Sequence, residues 1–243
     1  SRLVLRAIVA AGRFDAALVE ALWQEQRALV AARRAGDFLR EDGRGRALAV
    51  SQRPMADGGW VATFEDVSER VRHEARITFL AHHDPLTGLP NRLRFRGCLD
   101  DALARHGRGD APALLCLDLD RFKAINDVHS HAAGDEVLRE TGALLAEVCR
   151  ASDIAARIGG EEFAVLIDGL TVERAAELLE DARAGVAAKR FRSRDTDRMI
   201  GRVTLSVGLT AVGSDERLED VLARADRLLY SAKSTGRDRL CAD

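Results

Sequence analysis

The sequence has little cysteine, little net charge and no long apolar run, and each shortage excludes a class of protein. Its four cysteines are widely scattered without metal-type spacing, which favours reduced thiols in a cytoplasmic protein. The net charge of -2 argues against broad nucleic-acid binding, which normally needs a basic face. No apolar run is long enough to cross a bilayer, and no signal peptide is visible. We therefore expect a cytoplasmic globular protein with no membrane span and no nucleic-acid partner.

A glycine pair followed by two acids stands between two short apolar runs, Ile154 to Ile158 and Phe163 to Ile167. Both runs are rich in β-forming residues, and glycine accepts the positive φ of tight turns, so the pattern predicts a β-hairpin. The adjacent carboxylates of Glu161 and Glu162 repel each other, and fold stability alone gives no reason for them. A divalent cation would give one, whereas the motif taken alone is more often an ordinary solvated acidic turn.

The first 67 residues predict a helix followed by a small antiparallel sheet. Apolar residues fall at helical spacing before Gly36, and no proline interrupts residues 1–35. Three short strands follow, at Phe38 to Glu41, Ala47 to Gln52 and Trp60 to Phe64, with turns at Asp42-Gly43 and Asp57-Gly58-Gly59.

Four short motifs stand out in this region: Glu41-Asp42-Gly43-Arg44, Ser51-Gln52-Arg53-Pro54-Met55, Asp57-Gly58-Gly59-Trp60-Val61 and Glu65-Asp66-Val67-Ser68-Glu69-Arg70. On these residues the region resembles the C-terminal half of a PAS sensor domain, and a packing or dimerisation module is the alternative interpretation.

Residues 68–83 predict a charged linker helix that Ser68 can cap. Two interpretations stay open for this helix. It is either a plain connector or a short coiled coil that joins two protomers and transmits rotation or register changes to the part that follows.

The run Ala113 to Asp120 is continuously apolar except for its acids, which predicts a buried central strand. Asp118 lies near the end of that strand, where a lone carboxylate is costly unless it binds a cation or is well hydrogen-bonded. Either Asp118 or Asp120 can cap the helix that follows, and Asp120 suits that role better. We expect Asp135 to cap the next helix, which runs to Arg150.

The remaining pattern completes a ferredoxin-like order of strand, helix, strand, strand, helix, strand and helix. It would bring Asp118 beside the turn that holds Glu161, so that two acidic points lie near one edge of the sheet. The other segments are a helix Arg92 to Arg105 capped by Asn91, loops at Gly107 to Asp110 and Arg190 to Arg202, a helix Thr171 to Val186, a strand Val203 to Thr210 and a helix from Leu218 to about Ser231.

Five groups of residues from Asp84 to the end form a recognisable set. They are Asp84-Pro85-Leu86-Thr87-Gly88-Leu89-Pro90-Asn91-Arg92, Leu117-Asp118-Leu119-Asp120-Arg121-Phe122-Lys123 with Asn126-Asp127, His131 to Asp135, Gly159-Gly160-Glu161-Glu162-Phe163, and Ala225-Asp226, Tyr230, Ala232-Lys233 and Gly236-Arg237. Taken together, these motifs resemble the GGDEF family of diguanylate cyclases.

The resemblance implies an α+β, ferredoxin-like domain whose mostly antiparallel central sheet is flanked by helices. We expect this domain over residues 84–243, after a partial PAS-like segment at 1–67 and the linker helix at 68–83. The family is a nucleotidyltransferase family that joins two GTP molecules into cyclic di-GMP and releases two pyrophosphates.

The resemblance also implies the metal ligands and the catalytic acids. Asp118, the carbonyl of Leu119 and Glu161 would hold Mg²⁺ or Mn²⁺, two ions per active site, since hard oxygen ligands suit these cations. Glu161 would also act as the base for the 3′-hydroxyl, with Glu162 as a second acid and Lys123 as a catalytic cation.

Substrate binding follows from the same resemblance. Lys123, Lys233 and Arg237 would neutralise the triphosphate. Asn126 and Asp135 would recognise the guanine edge, because Asp135 can accept from the ring N–H and the amino group. The other residues implied for GTP are Phe122, His131, Gly159 and Gly160.

One protomer would hold one GTP, so activity implies a homodimer in which a movement of the linker sets how two sites meet. Arg150 and Asp153 match the Arg-x-x-Asp motif at which product binds and inhibits in the family, although such a pair is common on surfaces. A catalytically silent receptor for GTP or cyclic di-GMP is the main alternative, and another nucleotidyl transferase or mononucleotide cyclase is a further one.

Overall fold

The computed structural model describes residues 15–32, 34–41, 45–57, 59–105, 113–193, 197–213 and 216–243. The chain divides into two compact units, 1–79 and 80–243. The predicted loop Gly107 to Asp110, the turn Asp42-Gly43 and Gly58 lie outside the described residues. None of the helices that the structure describes is long and apolar enough to cross a membrane.

The first unit packs one helix on a three-stranded antiparallel sheet, as predicted. Asp15 caps the helix by accepting a hydrogen bond of 2.7 Å from the Leu18 N–H. The elements of this part are α1 Ala16–Ala31, β1 Gly36–Glu41, β2 Ala47–Pro54 and β3 Trp60–Asp66, with sheet order β1-β2-β3. Their core consists of Leu18, Val19, Leu22, Leu48 and Val50. Helix α2, Ser68–His82, follows β3 and contains the boundary between the two units.

The second unit is built on a five-stranded sheet in the order β10-β9-β4-β6-β5, and only the β10–β9 pairing is parallel. This is the mostly antiparallel sheet with flanking helices that the sequence predicted. Its elements are α3 Arg92–Arg105, β4 Ala113–Leu119, α4 Phe122–His129, α5 His131–Val148, β5 Ile154–Arg157, β6 Glu162–Ile167, α6 Val172–Ala188, β7 Phe191–Arg192, β8 Met199–Gly201, β9 Leu205–Ala211, α7 Leu218–Ser234 and β10 Arg239–Ala242.

Strand β4 is buried along its whole length because its two faces point into two different cores. Leu115 and Leu117 pack on the side of α5 and α6, and Leu114 packs on the side of α3 and α7. This double burial is the reason that β4 is continuously apolar, and it makes Asp118 the polar exception at the end of the strand.

Four local predictions were wrong. Asp135 lies inside α5, and Ser130 caps that helix instead, by accepting from the Ala133 N–H. Asp120 caps nothing, because it is buried and turned toward β9. The segment 190–202 contains the short strands β7 and β8 rather than only a loop, with residues 194–196 outside the described part. The sequence pattern also missed β10, which pairs with β9.

Candidate functional site

A cleft of about 420 Å³ lies between the start of α4, the start of α5 and the turn from β5 to β6. Its lining residues are Phe122, Lys123, Asn126, Asp127, His131, Asp135, Leu138, Arg157, Gly160 and Glu161. Seven of these ten belong to the site that the sequence predicted. Helices α4 and α5 therefore bring their lining residues next to the turn between β5 and β6, residues 158–161, although these residues lie far from it in sequence. We call this turn the signature turn.

One end of this cleft offers oxygen acceptors. The Asn126 Oδ1 atom is buried and has no hydrogen-bond partner among the described residues. It lies so close to Gly134 that a Cβ at that position would approach it to 1.9 Å. Gly134 thus makes room for the Asn126 amide beside Asp135, and a buried acceptor without a partner indicates a ligand that donates.

The predicted metal ligands lie side by side at the end of β4. The Leu119 N–H donates to the Glu161 carbonyl at 3.2 Å, which fixes the signature turn against the strand end. The Asp118 carboxylate is 5% exposed and contacts the Lys233 Nζ at 2.7 Å. The fold therefore places the cation of α7 against the acid of β4.

The acids of this edge resist ionisation. Burial raises the pKa of Asp118 above its ordinary value, the charges of Glu162 and Asp120 raise it further, and the contact with Lys233 opposes these effects. Burial, followed by the charge of Asp118, likewise raises the pKa of Glu161. Carboxylates that destabilise one another in this way gain when a divalent cation binds between them.

Among the residues that the structure describes, no three His, Cys, Asp or Glu side chains converge as a complete metal site. The predicted donor set contains only two such side chains, because it combines the carboxylates of Asp118 and Glu161 with the backbone carbonyl of Leu119. These are hard oxygen donors, and such a set fits a Mg²⁺ ion that takes its remaining ligands from water and phosphate.

The signature turn is a hairpin, as predicted, but not for the predicted reason. Neither Gly159 nor Gly160 has a positive φ. A Cβ at Gly159 would lie 2.2 Å from the Glu162 Oε2 atom, so a larger residue there would displace the Glu162 side chain. Glu162 is half-exposed and lies 3.9 Å from the Arg92 Nη2 atom, and it is not among the residues that line the cleft.

Sequence reasoning missed the role of Arg157, which lines the cleft. Its Nη1 atom donates to both carboxylate oxygens of Asp84, at 3.0 and 3.1 Å. Its Nε and Nη2 atoms donate to the Gly160 carbonyl, at 3.1 and 2.7 Å. Arg157 therefore ties the signature turn to the beginning of the unit. Because Asp84 and Arg157 are 73 residues apart, their pairing leaves no local sequence pattern. The only local signal is that Arg157 lies two residues before Gly159.

The structure does not place Arg237 in the cleft that Lys123 and Asn126 line. Arg237 lines a second cleft of about 540 Å³, together with Asp120, Arg121, Arg202 and Asp238. This cleft lies behind α4, on the side of residues Ala124 and Val128, and Arg237 belongs to the loop that follows α7.

Arg150 and Asp153 form a closed pair. The guanidinium donates to both Asp153 carboxylate oxygens, at 2.9 and 2.6 Å, and the Arg150 backbone N–H donates to the same carboxylate at 2.9 Å. Burial would raise the pKa of Asp153, but the hydrogen bonds from Arg150 outweigh it and hold this pKa below its ordinary value. The Asp153 side chain is fully buried, whereas that of Arg150 is 39% exposed.

A larger cleft of about 650 Å³ lies in the first unit and has a different character. Its described lining includes Trp23, Trp60 and Phe64, and Arg27 is the one charged residue in it. Its described lining contains no carboxylate, whereas Asp118 and Glu161 lie in the second unit.

Comparison with known proteins agrees with this placement. The family model described as diguanylate cyclase, GGDEF domain, matches residues 81–239, and the model of the PAS fold matches residues 2–75. The diguanylate cyclase DgcP of Pseudomonas aeruginosa is 45% identical over 158 residues, which are 65% of this chain and 23% of the relative. The diguanylate cyclase DgcM of Escherichia coli K12 is 35% identical over 178 residues, 73% of this chain and 42% of the relative. The chain thus spans less than half the length of these two curated relatives.

A solved structure shows the same architecture. It contains the coiled coil and GGDEF domain of DgcB from Caulobacter crescentus in complex with c-di-GMP. It is 34% identical with a TM-score of 0.68, and the match covers 72% of this chain and 93% of that chain.

Proposed function

Because the chain belongs to the diguanylate cyclase, GGDEF domain family, we propose that it condenses two GTP molecules into cyclic di-GMP and releases two pyrophosphates. The observation that carries this proposal is the meeting of Asp118, Glu161 and Lys233 beside a cleft that contains Lys123 and Asn126. Acids for a metal ion, cations for a triphosphate and acceptors for a base are the groups that joining two nucleotides requires.

Asn126 and Asp135 recognise guanine in this proposal. Guanine presents its ring N–H and its amino group side by side, and the Asp135 carboxylate can accept from both. The buried Asn126 Oδ1 supports this assignment because it has no donor among the described residues. Adenine offers no such pair of donors, so the same acceptors would discriminate against ATP. Phe122, His131 and Gly160, which line the same cleft, enclose the nucleotide.

Asp118, the Leu119 carbonyl and Glu161 would hold Mg²⁺ or Mn²⁺, two ions per site. When bound, the ions stabilise the charge of the attacking and leaving oxygens at the α-phosphorus. Glu161 accepts the proton of the 3′-hydroxyl, and Glu162 is the second acid of this edge. Before substrate binds, Lys233 keeps the buried Asp118 paired.

Lys123, Lys233 and Arg237 bind the triphosphate and neutralise the charge that grows on the departing pyrophosphate. Lys123 stands at the N-terminal turn of α4, where backbone N–H groups also favour phosphate. Gly159 and Gly160 leave the turn narrow enough for the nucleotide to approach its backbone.

Two copies of the chain form the active enzyme, since one cleft holds one GTP and each 3′-hydroxyl must attack the other nucleotide. The division that fits this role is a PAS-like sensor or dimerisation segment at 1–67, a linker helix at 68–83 and the cyclase domain at 84–243. Cyclic di-GMP inhibits the enzyme by binding at Arg150 and Asp153. The exposed Arg150 side chain supports this. Asp153 and the Asp168 carbonyl hold its Nε and Nη2 atoms in place, and the Nη1 atom can then donate to a phosphate or to the guanine O6 and N7 edge.

The decisive experiment incubates the purified chain with GTP and Mg²⁺ and separates the nucleotides by chromatography. Glu161→Gln is run beside it, with Glu147→Gln as a matched control on the exposed face of α5. We expect cyclic di-GMP from the parent and the control, and none from Glu161→Gln. Absence of product from a parent that still binds GTP would refute the cyclase proposal.

A further inference from the structure

Asp120 is a buried carboxylate with a complete set of donors. It is 7% exposed and follows directly after β4. Its Oδ1 atom accepts from the Ser206 hydroxyl at 2.7 Å, and its Oδ2 atom accepts from the Thr204 hydroxyl at 2.7 Å and from the Asp238 backbone N–H at 3.0 Å. Its own N–H donates to the Thr204 carbonyl at 2.9 Å. The carboxylate therefore joins the end of β4, the start of β9 and the loop after α7.

That loop has an unusual backbone. Gly236, Arg237 and Asp238 have φ angles of 131°, 62° and 48°, so three consecutive residues lie in the left-handed region. Residues other than glycine adopt this region at a cost, and they remain there only when the surroundings hold them. An ordinary surface loop would relax out of such a conformation.

Several contacts hold the loop. Asp120 accepts from the Asp238 N–H, the Arg237 N–H donates to the Ala232 carbonyl at 2.9 Å, and the Arg239 Nε atom donates to the Arg237 carbonyl at 3.0 Å. The Asp238 carboxylate also pairs with Arg183 and with Arg202. The contact from Asp120 comes from the residue that directly follows β4, the strand that also carries Asp118.

We propose that Asp120 is a positioning residue: it holds the left-handed loop, and with it Arg237, so that Arg237 can bind the terminal phosphates of the nucleotide from the second cleft, on the other side of α4. This inference rests on the proposed function, which gives Arg237 its phosphate role. Asp118 and Asp120 leave the same strand end two residues apart, so one short segment sets the metal edge and the phosphate loop in a common frame.

The geometry predicts which substitutions matter. In Asp120→Ala the Asp238 N–H loses its acceptor and the loop is released. In Asp120→Asn the amide oxygen can take the place of Oδ2 and keep both of its donors, while the amide nitrogen donates to the Ser206 hydroxyl, which can reverse its role. The asparagine variant should therefore retain the position of Arg237.

The test measures binding rather than turnover. The probe is 3′-deoxy-GTP with Mg²⁺, which carries the triphosphate but lacks the attacking hydroxyl, and its Kd is measured by calorimetry beside that of GMP. We expect Asp120→Ala and Arg237→Ala each to weaken the triphosphate about tenfold, and the double variant to be no weaker than either. GMP should bind all of them alike, and Asp120→Asn should stay within about twofold of the parent.

Other outcomes overturn the inference. If the two substitutions weaken 3′-deoxy-GTP binding multiplicatively in the double variant, or if GMP binding weakens equally, Asp120 acts on the fold and not through Arg237. Should Asp120→Ala fail to fold, Thr204→Val takes its place in the same cycle, because it removes one donor to Oδ2 without changing the shape. No weakening by Thr204→Val, or equal weakening with and without Arg237, would also refute the inference. A parent protein that binds 3′-deoxy-GTP but forms no cyclic di-GMP from GTP would refute the proposed function instead. The binding measurements on the variants would still test the role of Asp120.

Discussion

The Arg157 guanidinium holds the carboxylate of Asp84, 73 positions earlier in the chain, with hydrogen bonds of 3.0 and 3.1 Å. Its other two nitrogen atoms hold the carbonyl of Gly160. Both side chains of the pair are largely buried, at 13% and 17% exposure. The first residues of the second unit and the turn that carries Glu161 are thus joined by one side chain.

We expect Arg157→Met to reduce cyclase activity about 100-fold, because the turn loses the group that fixes its carbonyl and Glu161 shifts with it. Asp84→Asn should also reduce activity. The loss of unfolding free energy in the double variant should differ from the sum of the two single losses by about 0.5–3 kcal/mol. Arg174→Met is the control, since Arg174 pairs with Glu177 on the exposed face of α6. Urea unfolding and initial rates check both statements, and simple additivity would contradict the link.

Gly134→Ala should damage substrate binding and leave stability almost unchanged. The new Cβ would lie 1.9 Å from the Asn126 Oδ1 atom and 3.0 Å from the Phe122 Cζ atom, both at the ends of side chains. Asn126 is therefore displaced and the Phe122 ring must shift slightly, while alanine favours the helix more than glycine does. We expect the KM for GTP to rise about tenfold or more, and the free energy of unfolding to change by less than about 1 kcal/mol. Gly97→Ala in α3 is the control, because its Cβ would meet nothing within 4 Å. An unchanged KM in Gly134→Ala would remove Asn126 from the guanine site.

Gly208→Ala tests the packing of α7 on β9, which brings Lys233 to Asp118. A Cβ at Gly208 would lie 2.3 Å from the Ala225 carbonyl oxygen and 2.4 Å from the Leu229 nitrogen, and these backbone atoms cannot move aside. We expect a loss of about 1–3 kcal/mol or more in the free energy of unfolding. Gly185→Ala, whose Cβ would meet nothing within 4 Å, should cost nothing. A Gly208→Ala variant as stable as the parent would mean that α7 can lift from the sheet without penalty.

Arg150→Ala should relieve inhibition by cyclic di-GMP. The exposed guanidinium that Asp153 orients would be lost, while the buried carboxylate would keep the hydrogen bond from the backbone of residue 150. We expect the half-inhibitory concentration of added product to rise about tenfold. Arg139→Ala on α5 serves as the control, since Arg139 is a half-exposed partner of Glu136. Equal inhibition of parent and variant would place the inhibitory site elsewhere.

Sequence reasoning predicted those parts of the fold that a local pattern of apolar residues determines. The double burial of β4 produced its continuous apolar run, and the two runs around Gly159-Gly160 produced the hairpin. The meeting of Asp118 with the turn of Glu161 followed from these two elements, because β4 and β6 are antiparallel and the end of β4 lies beside the start of β6.

The errors have tertiary causes. Asp135 and Ser130 are both of a type that caps helices, but the chain turns at Ser130, whose φ is 113°, and α5 begins directly after it, so Asp135 lies inside the helix. Asp120 resembles a cap in sequence, yet its donors Thr204 and Ser206 come from another strand. Strand β10 is four residues long and exists because β9 offers it a parallel edge.

The pair Arg150–Asp153 also predicts how stability depends on pH. Folding lowers the pKa of Asp153, so this carboxylate stabilises the fold at pH values above its unfolded pKa of about 3.9 and loses that contribution as the pH falls through the lower native pKa. Asp153→Asn cannot ionise. It should therefore be less stable than the parent at neutral pH by an amount that stays constant down to about pH 5 and shrinks below about pH 4.

Urea unfolding followed by circular dichroism at several pH values measures this difference. Tryptophan fluorescence supplies an internal control, because both tryptophans, Trp23 and Trp60, belong to the first unit. The transition that they report should not move with the substitution if each unit unfolds by itself. A stability difference that persists unchanged at about pH 3 would mean that Asp153 acts through packing and hydrogen-bond geometry, since the ionised form of the carboxylate would then contribute nothing of its own.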